Sequence, residues 1–209
     1  FSMIFYFVQK LDYYKKYVDD GYWQKSEIFT HIDKPFFELD GKKVGIIGLG
    51  DIGRNFAKKA RAFDCEVMYY STSGKNSNSE YKQVSLDELL STCDIISIHC
   101  PLNENTKDLL NYENMKNMKN GAILLNLGRG GIINEADLAK IIDEKEIYCG
   151  IDVVSVEPIA EYNPLLKVKN KDRLLLTPHI GWASIEARTR LVKMVAENIK
   201  EFISQKRIS

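Results

Sequence analysis

The sequence predicts a doubly wound α/β domain built on a parallel sheet, and three observations carry that reading. Short apolar runs alternate with amphipathic stretches from Val44 to Thr177. Runs such as "DIISIHC" and "AILLNLG" are apolar on both faces, as strands are when helices cover both sides of a sheet. The stretch "VGIIGLGDIG" sets Gly48, Gly50 and Gly53 in a GxGxxG turn between the first run and a helical pattern. With 209 residues, 44% of them hydrophobic, the chain is long enough to bury such a core.

Taken in order, residues 1 to about 20 read as one helix, because Ile4, Val8, Leu11, Tyr14 and Val18 recur at helical spacing. The segment "DDGYWQKSEIFTHIDKPFFELDGKK" reads as irregular connecting chain with aromatic anchors. Strands are expected at 44–47, 66–70, 94–99, 122–127, 148–153 and 173–177, and helices between them at 53–63, 86–91, 112–118 and 134–143. "STSGKNSNSEYK" is rich in turn formers and reads as an exposed loop. A last helix over 184–203 puts Ile185, Val192, Val195, Ile199 and Phe202 on one face. The chain thus divides into a leading helix and connector (1–40), a dinucleotide-binding domain (41–183) and a C-terminal helix (184–209).

Composition narrows the function. Lys plus Arg and Asp plus Glu each number 29, so no global field favours nucleic acid or an acidic membrane surface. No apolar run approaches the roughly 18–20 residues of a membrane span, and "FSMIFYFVQK" has neither a basic leader nor a small-residue cleavage site. Cys65, Cys93, Cys100 and Cys149 form no CxxC pair and read as thiols of a reducing cytoplasm. Three scattered histidines and these cysteines lack ligand spacing, so no metal site is expected.

In the glycine turn, Gly48 permits the tight bend, Gly50 lets backbone approach a pyrophosphate, and Gly53 lets helix pack on strand. The free amides near Asp51 and Ile52 then face the phosphates with the helix dipole behind them. An acid usually takes the ribose hydroxyls at the end of the second strand, but here that strand runs into Ser71, Thr72, Ser73, Gly74 and Lys75. These hydroxyls and Lys75 suit a 2′-phosphate, without an arginine to clamp it, so NAD is expected and NADP stays open.

Three further strand ends carry charge. Arg129 lies past a strand in "LLNLGRGGIINE", "GIDVVSVEP" puts Asp152 inside a strand with Glu157 soon after, and His179 follows the last strand in "LLLTPHIGWAS". Ligands bind beyond the carboxyl ends of such strands, and hydride chemistry gives each residue a role. Reducing a 2-keto acid needs a proton at the carbonyl oxygen, and histidine is the natural donor near neutral pH. Glu157 would orient His179 and favour its protonated form. Arg129 would polarise the carbonyl and hold the substrate carboxylate, and Asp152 would sit by the nicotinamide. His99, at a strand end, is expected to line the cofactor cleft, and His31 to lie on the surface.

Together, "VGIIGLGDIGR", "HCPLNENT", "NLGRGGIINE", "GIDVVSVEP" and "TPHIGWAS" resemble the NAD(P)-dependent D-isomer-specific 2-hydroxyacid dehydrogenases, the group containing glycerate/hydroxypyruvate and phosphoglycerate dehydrogenases. The resemblance runs over residues 44 to 184 and implies catalytic roles for Arg129, Glu157 and His179. It implies cofactor contacts at Asp51, Ile52, Ser71, Pro101, Leu127, Gly128, Arg129, Asp152, His179 and Gly181, with Ser71 departing from the family's common acid. Such proteins carry a separate N-terminal substrate domain. This chain therefore reads as a second domain entered within its leading helix, able to bind cofactor but turning over hydroxypyruvate or glyoxylate poorly alone. The apolar faces of helices 1–20 and 184–203 would then be uncovered, and a homodimer through the N-terminal helix is expected. The alternative is a dinucleotide-sensing or co-repressor-like binding module without turnover.

Overall fold

The computed structural model describes residues 1–74 and 80–206. Seven parallel strands form one sheet: β1 (Lys43–Ile47), β2 (Glu66–Tyr70), β3 (Lys82–Gln83), β4 (Ile95–Ile98), β5 (Ala122–Asn126), β6 (Ile147–Ile151) and β7 (Leu174–Leu176). Their order is β3-β2-β1-β4-β5-β6-β7, so the chain runs outward from β1 in one direction and then outward from β4 in the other. The reversal opens a crevice between the carboxyl ends of β1 and β4, where such sheets take ligands. This is the doubly wound fold that the apolar runs predict. Every residue of β4 and β5 is buried, as strands between two helical layers must be.

The crossovers are α3 (Asp51–Arg61), α4 (Leu86–Thr92), α5 (Tyr112–Met115) and α6 (Glu135–Glu144). Their starts are specified locally. Ser85 accepts from the Glu88 amide, Asn111 forms a reciprocal capping box with Asn114, and Asn134 accepts from the Asp137 amide. One layer of core gathers Ile47, Leu89, Ile96, Leu124, Ile141 and Cys149, while the other gathers Ile46, Ala57, Tyr69 and Leu125. All four cysteines are free and buried.

The leading helix is not one helix. It forms α1 (Ser2–Gln9) and α2 (Leu11–Asp19), broken where Lys10 takes the left-handed conformation at φ 51. The break separates two different jobs. α1 buries Ile4, Phe7 and Val8 against β5 and β6, whereas α2 buries no residue and leaves Leu11 and Val18 exposed. The apolar face expected to be bare on the N-terminal helix is therefore covered by this chain's own sheet in its first half. α7 (Ile185–Lys206) behaves as expected, with Ile185, Val192, Val195, Ile199 and Phe202 all exposed.

Other departures are smaller. β3 is a two-residue edge strand that begins at the last residue of the stretch read as loop, too short to show a period. α5 ends at Met115 rather than 118, because the chain there turns so that Met118 is buried too. β6 ends at Ile151, which places Asp152 just beyond the strand rather than within it. His31 is half-buried rather than open on the surface: its ring stacks on Tyr17 at 3.7 Å and its Nε2 lies 2.9 Å from the Tyr13 hydroxyl. Among the described residues no helix is long and apolar enough to cross a membrane.

Candidate active site

The strand register fixes the site. A row of laterally paired residues runs Tyr70, Ile47, Ile98, Asn126, Ile151 and Leu176 across the carboxyl edge of the sheet. The residues that follow them are Ser71, Gly48, His99, Leu127, Asp152 and Thr177, so these six stand at neighbouring strand ends. All but Thr177 are residues the sequence marks out.

The glycine turn closes the end of β1. Gly48 has φ +92, and a Cβ there would lie 2.7 Å from the Cys100 amide nitrogen, so no side chain fits where β1 and β4 part. A Cβ at Gly53 would stand 2.3 Å from the Gly48 carbonyl oxygen, which sets how closely α3 packs behind the turn. Gly50 faces the other way, and a Cβ there would meet nothing within 4 Å. Gly50 is the helix N-cap and offers no side-chain acceptor, so the first-turn amides beyond it, near the exposed Asp51 and Ile52, keep their capacity for an anion. At the end of β2, Ser71 is buried and its Oγ has no hydrogen-bond partner among the described residues. An open glycine before unused amides, one strand from an unsatisfied hydroxyl, fits a dinucleotide whose pyrophosphate sits on α3 and whose ribose reaches β2. Thr72 is half-buried and Ser73 exposed, while Lys75 lies outside the described residues. His99 is half-buried beneath Phe56, with its Nε2 3.0 Å from the Ser97 hydroxyl, and burial pushes its pKa down to about 4. It is a neutral ring at physiological pH. Pro101 follows on the exposed surface.

Past β5 the chain makes a tight turn around Asn126, which is buried. Its Oδ1 accepts from the Gly128 amide at 3.1 Å and its Nδ2 donates to the Arg129 carbonyl at 2.9 Å. This bracket lifts Leu127 and Arg129 into solvent. The guanidinium donates to the Gly128 carbonyl at 2.8 Å and has no carboxylate partner among the described residues. It is a fixed positive group ready for an anion.

Asp152 is buried and fully engaged. Its Oδ1 accepts from the Ile180 amide at 2.8 Å and from the Thr177 hydroxyl, and its Oδ2 accepts from the Gly181 amide at 2.7 Å. Its carbonyl accepts from the His179 amide at 2.9 Å. The residue expected beside the nicotinamide is thus also the clamp that holds the 177–181 turn, in which His179 sits at the rare left-handed φ of 52. Within that turn, His179 Nδ1 lies 2.6 Å from Glu157 Oε2, while Glu157 Oε1 accepts from the Val154 amide at 3.0 Å. The hydrogen bond with His179 holds the Glu157 carboxyl below the usual carboxylate range. Nε2 of His179 has no partner among the described residues. An imidazole held at one nitrogen by a carboxylate can give or take a proton at the other.

Comparison with known proteins identifies the family. Residues 1–181 match the D-isomer specific 2-hydroxyacid dehydrogenase, NAD binding domain. The chain belongs to the D-isomer specific 2-hydroxyacid dehydrogenases. It is 39% identical over 196 residues to a hydroxypyruvate reductase of Blautia hydrogenotrophica, covering 91% of this chain and 59% of that protein. Among solved structures of the family's fold, a D-lactate dehydrogenase from Aquifex aeolicus complexed with NAD and lactic acid superposes with a TM-score of 0.84 at 26% identity, covering 98% of this chain and 65% of that one. An acyclic imino acid reductase in complex with NADPH and D-Arg gives 0.83 at 30% identity, covering 98% and 63%. The chain spans about three-fifths of the length of the 2-hydroxyacid dehydrogenase relatives it matches. It carries the family's NAD(P)-binding domain.

The sequence did not mark Asn126, Thr177 or Glu135, which shape these loops without facing the crevice as charges. A polar residue closing an apolar strand was the only signal for Asn126, and Glu135 looks like any acid in a first helical turn. A separate cavity of about 890 Å³ opens at the opposite, amino edge of the sheet, where Lys42, Asp94, Gly121 and Glu146 precede their strands. It shares no residue with the Arg129, Glu157 and His179 set.

Proposed function

We propose that the protein transfers hydride between NAD(P)H and a small 2-keto or 2-hydroxy acid such as hydroxypyruvate or glyoxylate. The observation that carries this reading is the 2.6 Å pairing of Glu157 with His179 Nδ1, which leaves Nε2 for a substrate oxygen. A nicotinamide bound in the crevice supplies or accepts the hydride. His179 gives its Nε2 proton to the carbonyl oxygen as the adjacent carbon is reduced, and takes it back in the reverse direction. Glu157 favours the imidazolium and fixes the ring. Arg129 binds the substrate carboxylate and draws charge towards the carbonyl oxygen. NAD is the expected cofactor. The absence of an acid at Ser71–Ser73 leaves NADP equally suited to the end of β2.

We further propose that the protein works in the cytoplasm as a homodimer. Exposed Tyr22, Trp23, Phe29, Phe36 and Phe37 beside α2 support a covered surface there. The division at residues 40 and 183 belongs to the same reading, with α7 seated on a further substrate domain. Turnover of hydroxypyruvate and glyoxylate with each cofactor, on residues 1–209 and on the protein at its relatives' full length, tests the reaction. His179→Ala is expected to abolish turnover with cofactor affinity intact, and full activity in that variant would refute the assignment. Sedimentation tests the dimer, and a monomer at high concentration counts against it.

A further inference from the structure

The loop that presents Glu157 is exposed, with residues 155–159 all open to solvent, yet the Glu157–His179 bond needs it held to a fraction of an ångström. What holds it comes from behind, from the first turn of α6. Glu135 Oε1 accepts from the Ser155 amide at 2.5 Å, and its Oε2 accepts from Asn163 Nδ2 at 2.7 Å. Asn163 is buried, and its own Oδ1 accepts from the Leu165 amide at 3.0 Å, which fixes its amide orientation. The two bonds therefore pin the loop near its beginning and at its far end. At the first of these points, the Gly130 backbone is pressed on the loop so closely that a Cβ would lie 2.0 Å from the Val154 carbonyl carbon. The next amide inward, that of Val154, donates to Glu157 itself.

We infer that Glu135 is a positioning residue for the Glu157–His179 pair: by accepting from both ends of the 155–163 loop it sets which imidazole nitrogen carries the proton. The inference rests on the proposed acid–base role of His179 for its consequence in catalysis, but not for its geometry. A carboxylate is required, because both partners are donors and a neutral amide can accept from only one while facing the other with N–H. When Glu157 is in place, the neutral imidazole keeps its proton on Nδ1 and offers Nε2 as the base. When the loop drifts, that constraint is lost and the tautomers redistribute.

Long-range ¹H–¹⁵N correlation spectra of the histidine rings at alkaline pH read this directly on residues 1–209, with His179→Gln assigning the signals among the three histidines. The wild type is expected to show His179 as the Nδ1–H tautomer. Glu157→Ala sets the ratio for a lost partner, and Glu135→Ala is expected to move His179 to that same ratio. Glu135→Gln, the milder change, is expected to move it part of the way. Asp143→Ala serves as control. At the other end of α6, Asp143 Oδ1 accepts from the Lys169 and Asn170 amides at 2.9 and 3.0 Å, so its loss frees a loop without touching Glu157. It should lower stability and leave the His179 tautomer unchanged. An unshifted tautomer in folded Glu135→Ala, or an equal shift in Asp143→Ala, overturns the inference. A shifted tautomer, with no keto acid reduced by the protein at its relatives' full length, leaves it standing and refutes the proposed reaction instead.

Discussion

The two edges of one sheet are built by different means. At the carboxyl edge, side chains bind backbone: Asn126 brackets its own turn, Asp152 clamps residues 177–181, and Glu157 and Glu135 hold the 153–163 loop. At the amino edge, side chains bind one another as well as backbone and tie strand starts rather than loops: Asp94 pairs with Lys119 and accepts from the Lys43 amide at 2.8 Å, beside a cavity of about 890 Å³. The amino edge carries a cavity, and the carboxyl edge carries loops held by polar groups that leave Arg129 and His179 Nε2 without a carboxylate or hydrogen-bond partner, respectively, among the described residues. Fixing a loop by side-chain acceptors restricts the sequence, and suits a place where atoms must be held for reaction.

Removing one group from each edge should have unequal effects. Arg129→Ala is expected to lower kcat/KM for a 2-keto acid by on the order of 10²–10³-fold, the scale of a lost transition-state donor. Lys10→Ala, in the wall of the amino-edge cavity, should leave it within twofold. Asp152→Ala leaves three donors without their acceptor and should destabilise the fold by roughly 2–4 kcal/mol in a denaturant titration. Lys119→Ala, at the surface pair, should cost less than about 1 kcal/mol. Gly50→Ala sharpens the contrast within the glycine turn. With open space around its Cβ it should fold normally and weaken cofactor, whereas Gly48→Ala should fail to fold well.

The smallest effect is one of pH. Glu157 titrates below the usual carboxylate range because His179 bonds to it. A depressed folded value means that its contribution is complete above the ordinary glutamate pKa and is lost as pH falls through the lower one. The Glu157 carboxyl carbon resonance should therefore show its protonation step only below the ordinary glutamate pKa of about 4.3. A protonation step at or above that value would show that the pair is not formed as described.

Much of this was legible in the residues. The alternating runs gave strands close to their observed bounds, and the glycine spacing located the crevice. The three charges past three strands proved to lie on one edge, with Glu157 and His179 bonded. The misses share a cause. Lys10 adopts a left-handed conformation with no glycine or asparagine to announce it, so 3.6-residue spacing ran across a real break. His31 is packed by tyrosines 14 or more residues away, and Glu135 binds a backbone amide, which leaves no trace in side-chain pattern. Periodicity reports which face is buried. It does not report which carboxylate is taken up holding a loop.

If His179, held by Glu157, moves the proton in the proposed hydride transfer, its loss must slow the chemistry itself. Single-turnover oxidation of bound NAD(P)H by hydroxypyruvate, on the protein at its relatives' full length, compares wild type with His179→Ala alongside direct cofactor titration. A rate lower by about 10²–10⁴-fold is expected, with cofactor dissociation constants within twofold. Equal single-turnover rates, or a loss explained wholly by weakened cofactor binding, would contradict it.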